Sequence, residues 1–161
     1  NEVRQALYAV VIPALTLRSK NDVVTAQNRL RSHLNFGNVD EAMNILKAMV
    51  ADVPYSNKKL ANMGMEERYR FIISCIFHAI GLRVEVEHMM TCGRIDIVTW
   101  AMNAIYVIEL KLTNNGGLEA ARQQILANQY AAPFSDDSRE VIPLAIELDD
   151  NGKGILRFER I

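Results

Sequence analysis

Three side chains of complementary chemistry fall close together in this chain. Asp96 closes the run Gly93-Arg94-Ile95-Asp96, and Glu109 and Lys111 flank Leu110 in Val107-Ile108-Glu109-Leu110-Lys111. The two runs are β-rich and the gap Ala101-Met102-Asn103-Ala104 tolerates polar residues, so the segment reads as a hairpin. Residues two apart on a strand share a face, so Glu109 and Lys111 project together while Ile108, Leu110 and Leu112 turn to the other side. With Asp96 facing the same way on the neighbouring strand, two carboxylates and one ammonium converge. That arrangement is costly unless a divalent cation joins the carboxylates, and it points to a metal site with hard oxygen ligands. The competing reading is a cross-strand salt bridge, worth only about 1 kcal/mol on an exposed sheet face.

The elements that must position these residues follow from periodicity. Residues 2–17 read as a helix, with Val3, Leu7, Val10, Val11 and Ala14 on one stripe and Pro13 ending or kinking it. A second helix carries Val23, Ala26, Leu30 and Leu34 and stops near Gly37. A third, opened by a capping box of Asn38 and Glu41, carries Ala42, Ile45, Leu46, Met49 and Val50. These helices show no chemistry and are expected to pack against a neighbour or against a part of the protein upstream. Ser56 to Ala61 reads as a linker, giving a helical extension over 1–59 and a second domain over 60–161.

From Met65 to Ile80 the residues Met65, Tyr69, Ile72, Ile73, Ile76, Phe77 and Ile80 form one helical face. Glu66 lies toward the centre of that stripe and Glu67 about 100° further round, so the helical phase favours Glu66 over Glu67 for a role at a site. The bland alternative is that both acids complement the helix dipole. Leu82, Val84 and Val86 alternate with Arg83, Glu85 and Glu87 in a half-exposed strand. After the hairpin come the loop Asn114-Asn115-Gly116-Gly117, a helix from Leu118 to about Tyr130 with Gln124 beside its stripe, and two strands. The first of these, Val141 to Leu148, contains Pro143, a hint of an edge or an irregular start. It is joined by the turn Asp150-Asn151-Gly152-Lys153 to the last, Ile155 to Ile161, as a hairpin. Helix, three strands, helix and two strands make an α/β fold with a mixed sheet covered by helices.

Composition narrows the functional classes. The chain has 161 residues, half of them hydrophobic, and a net charge of −1. Residues 1–59 carry eight basic and five acidic side chains and residues 60–161 ten and fourteen, so the second part is net −4. A nucleic-acid binder usually shows a basic surface, which counts against strong autonomous binding. No apolar run approaches the roughly 18 residues that span a bilayer, and the short run Ala9 to Ile12 is broken at Pro13, so neither a membrane span nor a signal peptide is expected. Cys75 and Cys92 lack metal-type spacing and His33, His78 and His88 are scattered, which fits a reduced cytoplasmic setting. A first residue of Asn rather than Met reads as an excised piece of a longer protein.

The order of elements and the residues on them resemble the PD-(D/E)xK nuclease superfamily over about residues 62 to 161. More narrowly, they are similar to the nuclease-type domain at the C-terminus of certain bacterial AAA-ATPase-like proteins. The matching residues are Glu66 and Tyr69, Gly93-Arg94-Ile95-Asp96, Glu109-Leu110-Lys111, and Gln124-Ile125 with Tyr130, preceded by Asp52-Val53-Pro54-Tyr55. Ile95 stands where the superfamily's name has proline. The resemblance implies a restriction-endonuclease-like core with an all-helical N-terminal extension, and a hydrolase that cuts nucleic-acid phosphodiester bonds. It implies Mg²⁺, or Mn²⁺, held by Asp96, Glu109 and the Leu110 carbonyl, with Glu66 binding a second ion or a metal-bound water. Lys111 would orient the attacking water or stabilise phosphate charge, Gln124 would position phosphate or Lys111, and Arg94 would touch backbone phosphate. Implied partners are nucleic acid, with DNA expected ahead of RNA, an upstream ATPase domain of the same chain, and further copies in an oligomer. The alternative is a nuclease-fold module that binds nucleic acid or partners and regulates the ATPase without cutting.

Overall fold

The computed structural model describes residues 20–53, 60, 62–91 and 93–161. The expected helix over 2–17, Cys92, Pro54-Tyr55 and nearly all of the expected linker lie outside the described residues. Three helices come first, α1 (Lys20–Asn35), α2 (Val39–Ala51) and α3 (Met65–Ala79). They are followed by β1 (Arg83–Met90), β2 (Gly93–Trp100) and β3 (Ala104–Leu112), then α4 (Gly117–Ala127), β4 (Glu140–Leu148) and β5 (Ile155–Arg160). The strands form one sheet in the order β1-β2-β3-β4-β5. Only β3 and β4 run parallel, joined by the crossover through α4.

Alternation along β3 separates two apolar cores. Tyr106, Ile108, Leu110 and Leu112 pack with α1, α2 and α3, while Ile105 and Val107 pack with Ala121 and Ile125 of α4 and with Tyr130. The first two helices share the larger core with the sheet. The Tyr106 hydroxyl donates to the Leu34 carbonyl at 2.8 Å, and the Lys47 ammonium donates to the Leu156 carbonyl of edge strand β5 at 2.9 Å. Their expected neighbour is therefore the sheet itself. Asn38 does occupy the N-cap of α2, but its side chain makes no cap hydrogen bond, so the expected capping box is not formed.

Pro143 does not mark an edge, because β4 lies between β3 and β5. Its carbonyl accepts the Ile161 N–H at 3.1 Å, beyond the last β4–β5 pair of Leu144 with Arg160. A strand residue's N–H and C=O point to the same neighbour, so the missing proline donor falls where β5 has already ended.

Two tyrosines tie helices to the sheet. The Tyr69 hydroxyl on α3 accepts the Gly154 N–H at 2.8 Å and donates to the Asp149 carbonyl at 3.3 Å, fixing the β4–β5 turn. The Tyr130 hydroxyl, just after α4, donates to the Arg94 carbonyl at 2.8 Å and accepts from Gln124 at 2.9 Å and Asn128 at 3.2 Å. Gly93 is required beside it, since with φ of +153° a Cβ there would come within 3.1 Å of the Asn128 amide nitrogen. Gly93-Arg94 and Gln124…Tyr130 thus join the start of β2 to the end of α4.

Candidate active site

The β2–β3 ladder runs from Trp100↔Ile105 to Ile97↔Ile108 and stops there. One step further, Asp96 comes opposite Glu109. At that point the Asp96 carboxylate takes the place of a backbone partner, with Oδ2 accepting the Leu110 N–H at 2.9 Å. The Leu110 carbonyl points into the same gap, because both polar groups of a strand residue face one neighbour.

The β1–β2 ladder is interrupted at the same position. Val86 pairs with Ile97 and His88 with Ile95, but the intervening Glu87 and Asp96 are unpaired. Glu87 there has φ of +53°, a left-handed conformation uncommon for any residue but glycine. The break turns β2 over. Ile95 packs in the α4 core and Ile97 in the α3 core, although residues two apart share a face on a regular strand. Val86, which alternation places on a covered face, is 44% exposed on edge strand β1, next to the break at Glu87.

Asp96 and Glu109 are both buried, at 5% and 1% exposure. Each has its own cation. Asp96 Oδ1 accepts from Arg70 of α3 at 2.7 Å, and Glu109 Oε1 accepts from Lys111 at 2.6 Å. Glu109 Oε2 is buried with no hydrogen-bond partner. Burial first and the Asp96 charge second push the Glu109 carboxyl up to about 7, against the opposing pull of Lys111. Burial disfavours the Lys111 ammonium, but Glu109, then Asp96 and Glu66, outweigh it and raise its pKa.

Of the two acids opening α3, Glu66 is half-buried and adds its negative charge to that felt by Glu109 and Lys111. Glu67 is exposed and lines an open cleft of about 370 Å³ with Met63, Arg70, Phe71, Ser74, Val86 and Glu87. Gln124 donates to Tyr130 rather than to Lys111, so its contact with the centre runs through the Arg94 carbonyl. The Arg94 side chain, 51% exposed, lies 3.0 Å from Glu87 at the rim.

Two residues of this neighbourhood escape a reading of the sequence. Arg70 carries a weak signal, as it sits one helical turn after Glu66 and therefore on the same face. Glu87 carries none, since it reads as an ordinary outward residue of an alternating strand.

The donor set suits a hard cation. Two carboxylates, one with an orphaned oxygen, and a backbone carbonyl are oxygen ligands, and Mg²⁺ is commonly held by one or two carboxylates with waters completing its shell. Among the described residues no group of three or more His, Cys, Asp or Glu side chains forms a protein cage for a metal.

A mixed five-stranded sheet between helices, with Asp96 and the Glu109-Leu110-Lys111 run meeting where its central hairpin parts, is a restriction-endonuclease-like α/β domain. A sequence model of the PD-(D/E)XK nuclease superfamily matches residues 64–157, and the chain belongs to that superfamily. Comparison with curated proteins returns no match. No helix among the described residues is long and apolar enough to cross a membrane.

Proposed function

We propose that this domain is a metal-dependent nuclease hydrolysing phosphodiester bonds, with DNA as substrate and Mg²⁺ or Mn²⁺ as cofactor. In this reading it is the C-terminal module of a larger cytoplasmic protein whose upstream part is an ATPase. The observation that carries the proposal is Glu109. A carboxylate this deeply buried, facing Asp96 and keeping one oxygen unpartnered, is unfavourable for folding alone. It is explained by a cation that completes it.

Asp96, Glu109 and the Leu110 carbonyl would hold that ion, with Glu66 adding negative charge from the flank. When bound, the ion supplies Lewis acidity at the scissile phosphate and lowers the pKa of a coordinated water. Lys111, held on Glu109, keeps a proton donor at the centre to orient water or balance phosphate charge. The Leu110 N–H and Arg70 hold Asp96 in one orientation, so its remaining lone pairs have a set direction. Gln124 acts through Tyr130 to fix the start of β2, and Arg94, exposed at the rim, would meet backbone phosphate.

One observation favours a second reading. Arg70 and Lys111 give each carboxylate a built-in cation, an arrangement that also suits a module that binds nucleic acid or regulates the ATPase without cutting. Incubation of the full chain with DNA or RNA in Mg²⁺, Mn²⁺ or EDTA separates the two. Metal-dependent cleavage that disappears in Glu109→Ala supports the nuclease, and binding without cleavage supports the module.

A further inference from the structure

Asp96 has a cation on it before any metal arrives, and a second carboxylate competes for that cation. The Arg70 guanidinium, with a side chain only 12% exposed, lies between two carboxylates, 2.7 Å from Asp96 and 3.3 Å from Glu87. The same Nη1 nitrogen faces both, and the same Glu87 oxygen also receives Arg94 at 3.0 Å. Glu87 therefore shares one guanidinium with the buried Asp96 and holds a second at the rim.

The backbone makes this reach possible. On a regular β1 the residue opposite Asp96 would pair with it through the backbone and alternate in line with its neighbours. At φ of +53° the Glu87 backbone leaves the ladder at the position facing Asp96. A non-glycine residue in that conformation is strained and persists only where its surroundings hold it. The two arginines are such surroundings.

We infer that Glu87 is a positioning residue of the candidate centre: by sharing Arg70 with Asp96, it limits how far that guanidinium satisfies the aspartate and leaves the carboxylate able to accept a divalent cation. This rests on the metal-dependent reading above. Without Glu87, Arg70 turns wholly to Asp96 and opposes the metal. Without Arg70 as well, the opposition is gone.

Calorimetric titration of Mn²⁺ into the full chain tests this, using Glu87→Asn, the isosteric Glu87→Gln, Arg70→Met and the double variant Glu87→Asn/Arg70→Met. Asn adopts left-handed backbone readily, so Glu87→Asn removes the charge while keeping the turn. Glu87→Asn is expected to weaken Mn²⁺ binding by about threefold or more, the lower end of coupling within one ion-pair network. Adding Arg70→Met is expected to restore it. Urea unfolding of the same variants shows that they are folded, and Glu87→Gln serves if the Asn variant is not. A role confined to holding the turn would leave Mn²⁺ affinity unmoved in Glu87→Asn, and that result overturns the inference alone. So does an Arg70→Met effect of the same size and sign in both backgrounds. A wild-type chain that takes up no Mn²⁺ overturns the nuclease reading, and the inference with it.

Discussion

Asp96 and Leu110 are joined side chain to backbone, the Asp96 carboxylate accepting the Leu110 N–H at 2.9 Å where the β2–β3 ladder ends. This bond, with the Arg70 guanidinium at 2.7 Å, explains why an aspartate can sit 5% exposed opposite a buried glutamate. The strand opens, and the released backbone donor is used to hold the acid. The same bond carries the first expected outcome. Mn²⁺ binding seen by calorimetry is lost in both Asp96→Ala and Glu109→Ala, and persistence in either would remove that residue from the ligand set.

Glu109 carries a pH signature. Its carboxyl is raised from 4.5 to about 7, so folding disfavours its charged form. The stability that it allows is fully present below pH 4.5 and is lost as pH rises through 7, on the order of 3 kcal/mol by linkage. Glu109→Gln, which cannot ionise, should therefore be more stable than the wild type at pH 8, with the advantage fading toward pH 4.5. Urea unfolding at both values reads the difference directly. Metal uptake by the wild type should strengthen between pH 5 and pH 8, since the ligating form is the carboxylate; affinity flat across that range would place the metal elsewhere.

Lys111→Met leaves Glu109 without its cation at 2.6 Å. Removing that cation leaves the buried Glu109 carboxylate uncompensated until it takes a proton, so thermal and urea stability near pH 8 should fall, and by less near pH 5, where Glu109 already holds its proton. Cleavage should drop by about a hundredfold or more, as for a positioned proton-transfer group, with Mn²⁺ still bound. Loss of the metal together with activity would make Lys111 a support for Glu109 only.

Glu66 and Glu67 separate on one measurement. Glu66→Gln removes a negative charge felt by Glu109 and Lys111 and should weaken Mn²⁺ binding, while Glu67→Gln, on the exposed side of α3, should change it little. The reverse order would show that the helical phase had been read one residue out.

Tyr130→Phe deletes a hydroxyl that serves Arg94, Gln124 and Asn128. The Arg94 carbonyl and the half-buried Gln124 and Asn128 amides lose that partner, so Tm should fall. Cleavage should fall too, because β2 starts from that bond. Full activity in a destabilised Tyr130→Phe would make the Gln124–Tyr130 link purely structural.

The sheet, its hairpins and the convergence of Asp96, Glu109 and Lys111 were legible in the sequence because they rest on short-range regularities. Period-two alternation places Glu109 and Lys111 on one strand face, and the hairpin carries Asp96 back beside them. The helical period likewise separated Glu66 from Glu67. Local readings failed where the environment decides. Asn38 had the capping residue type without the cap bond, and Pro143, read as an edge or an irregular start, lies within an interior strand.

Spacing along one or two adjacent segments sets the elements, their order and the acids and lysine of the centre. The tertiary structure alone decided the electrostatics of that centre. Arg70 reaches Asp96 from a helix 26 residues earlier, and Glu87 reaches Arg70 and Arg94 from a left-handed position inside a strand. Neither contact follows a period. Each depends on how far the β1–β2 and β2–β3 ladders run before they part, which is set by packing on both faces of the sheet at once.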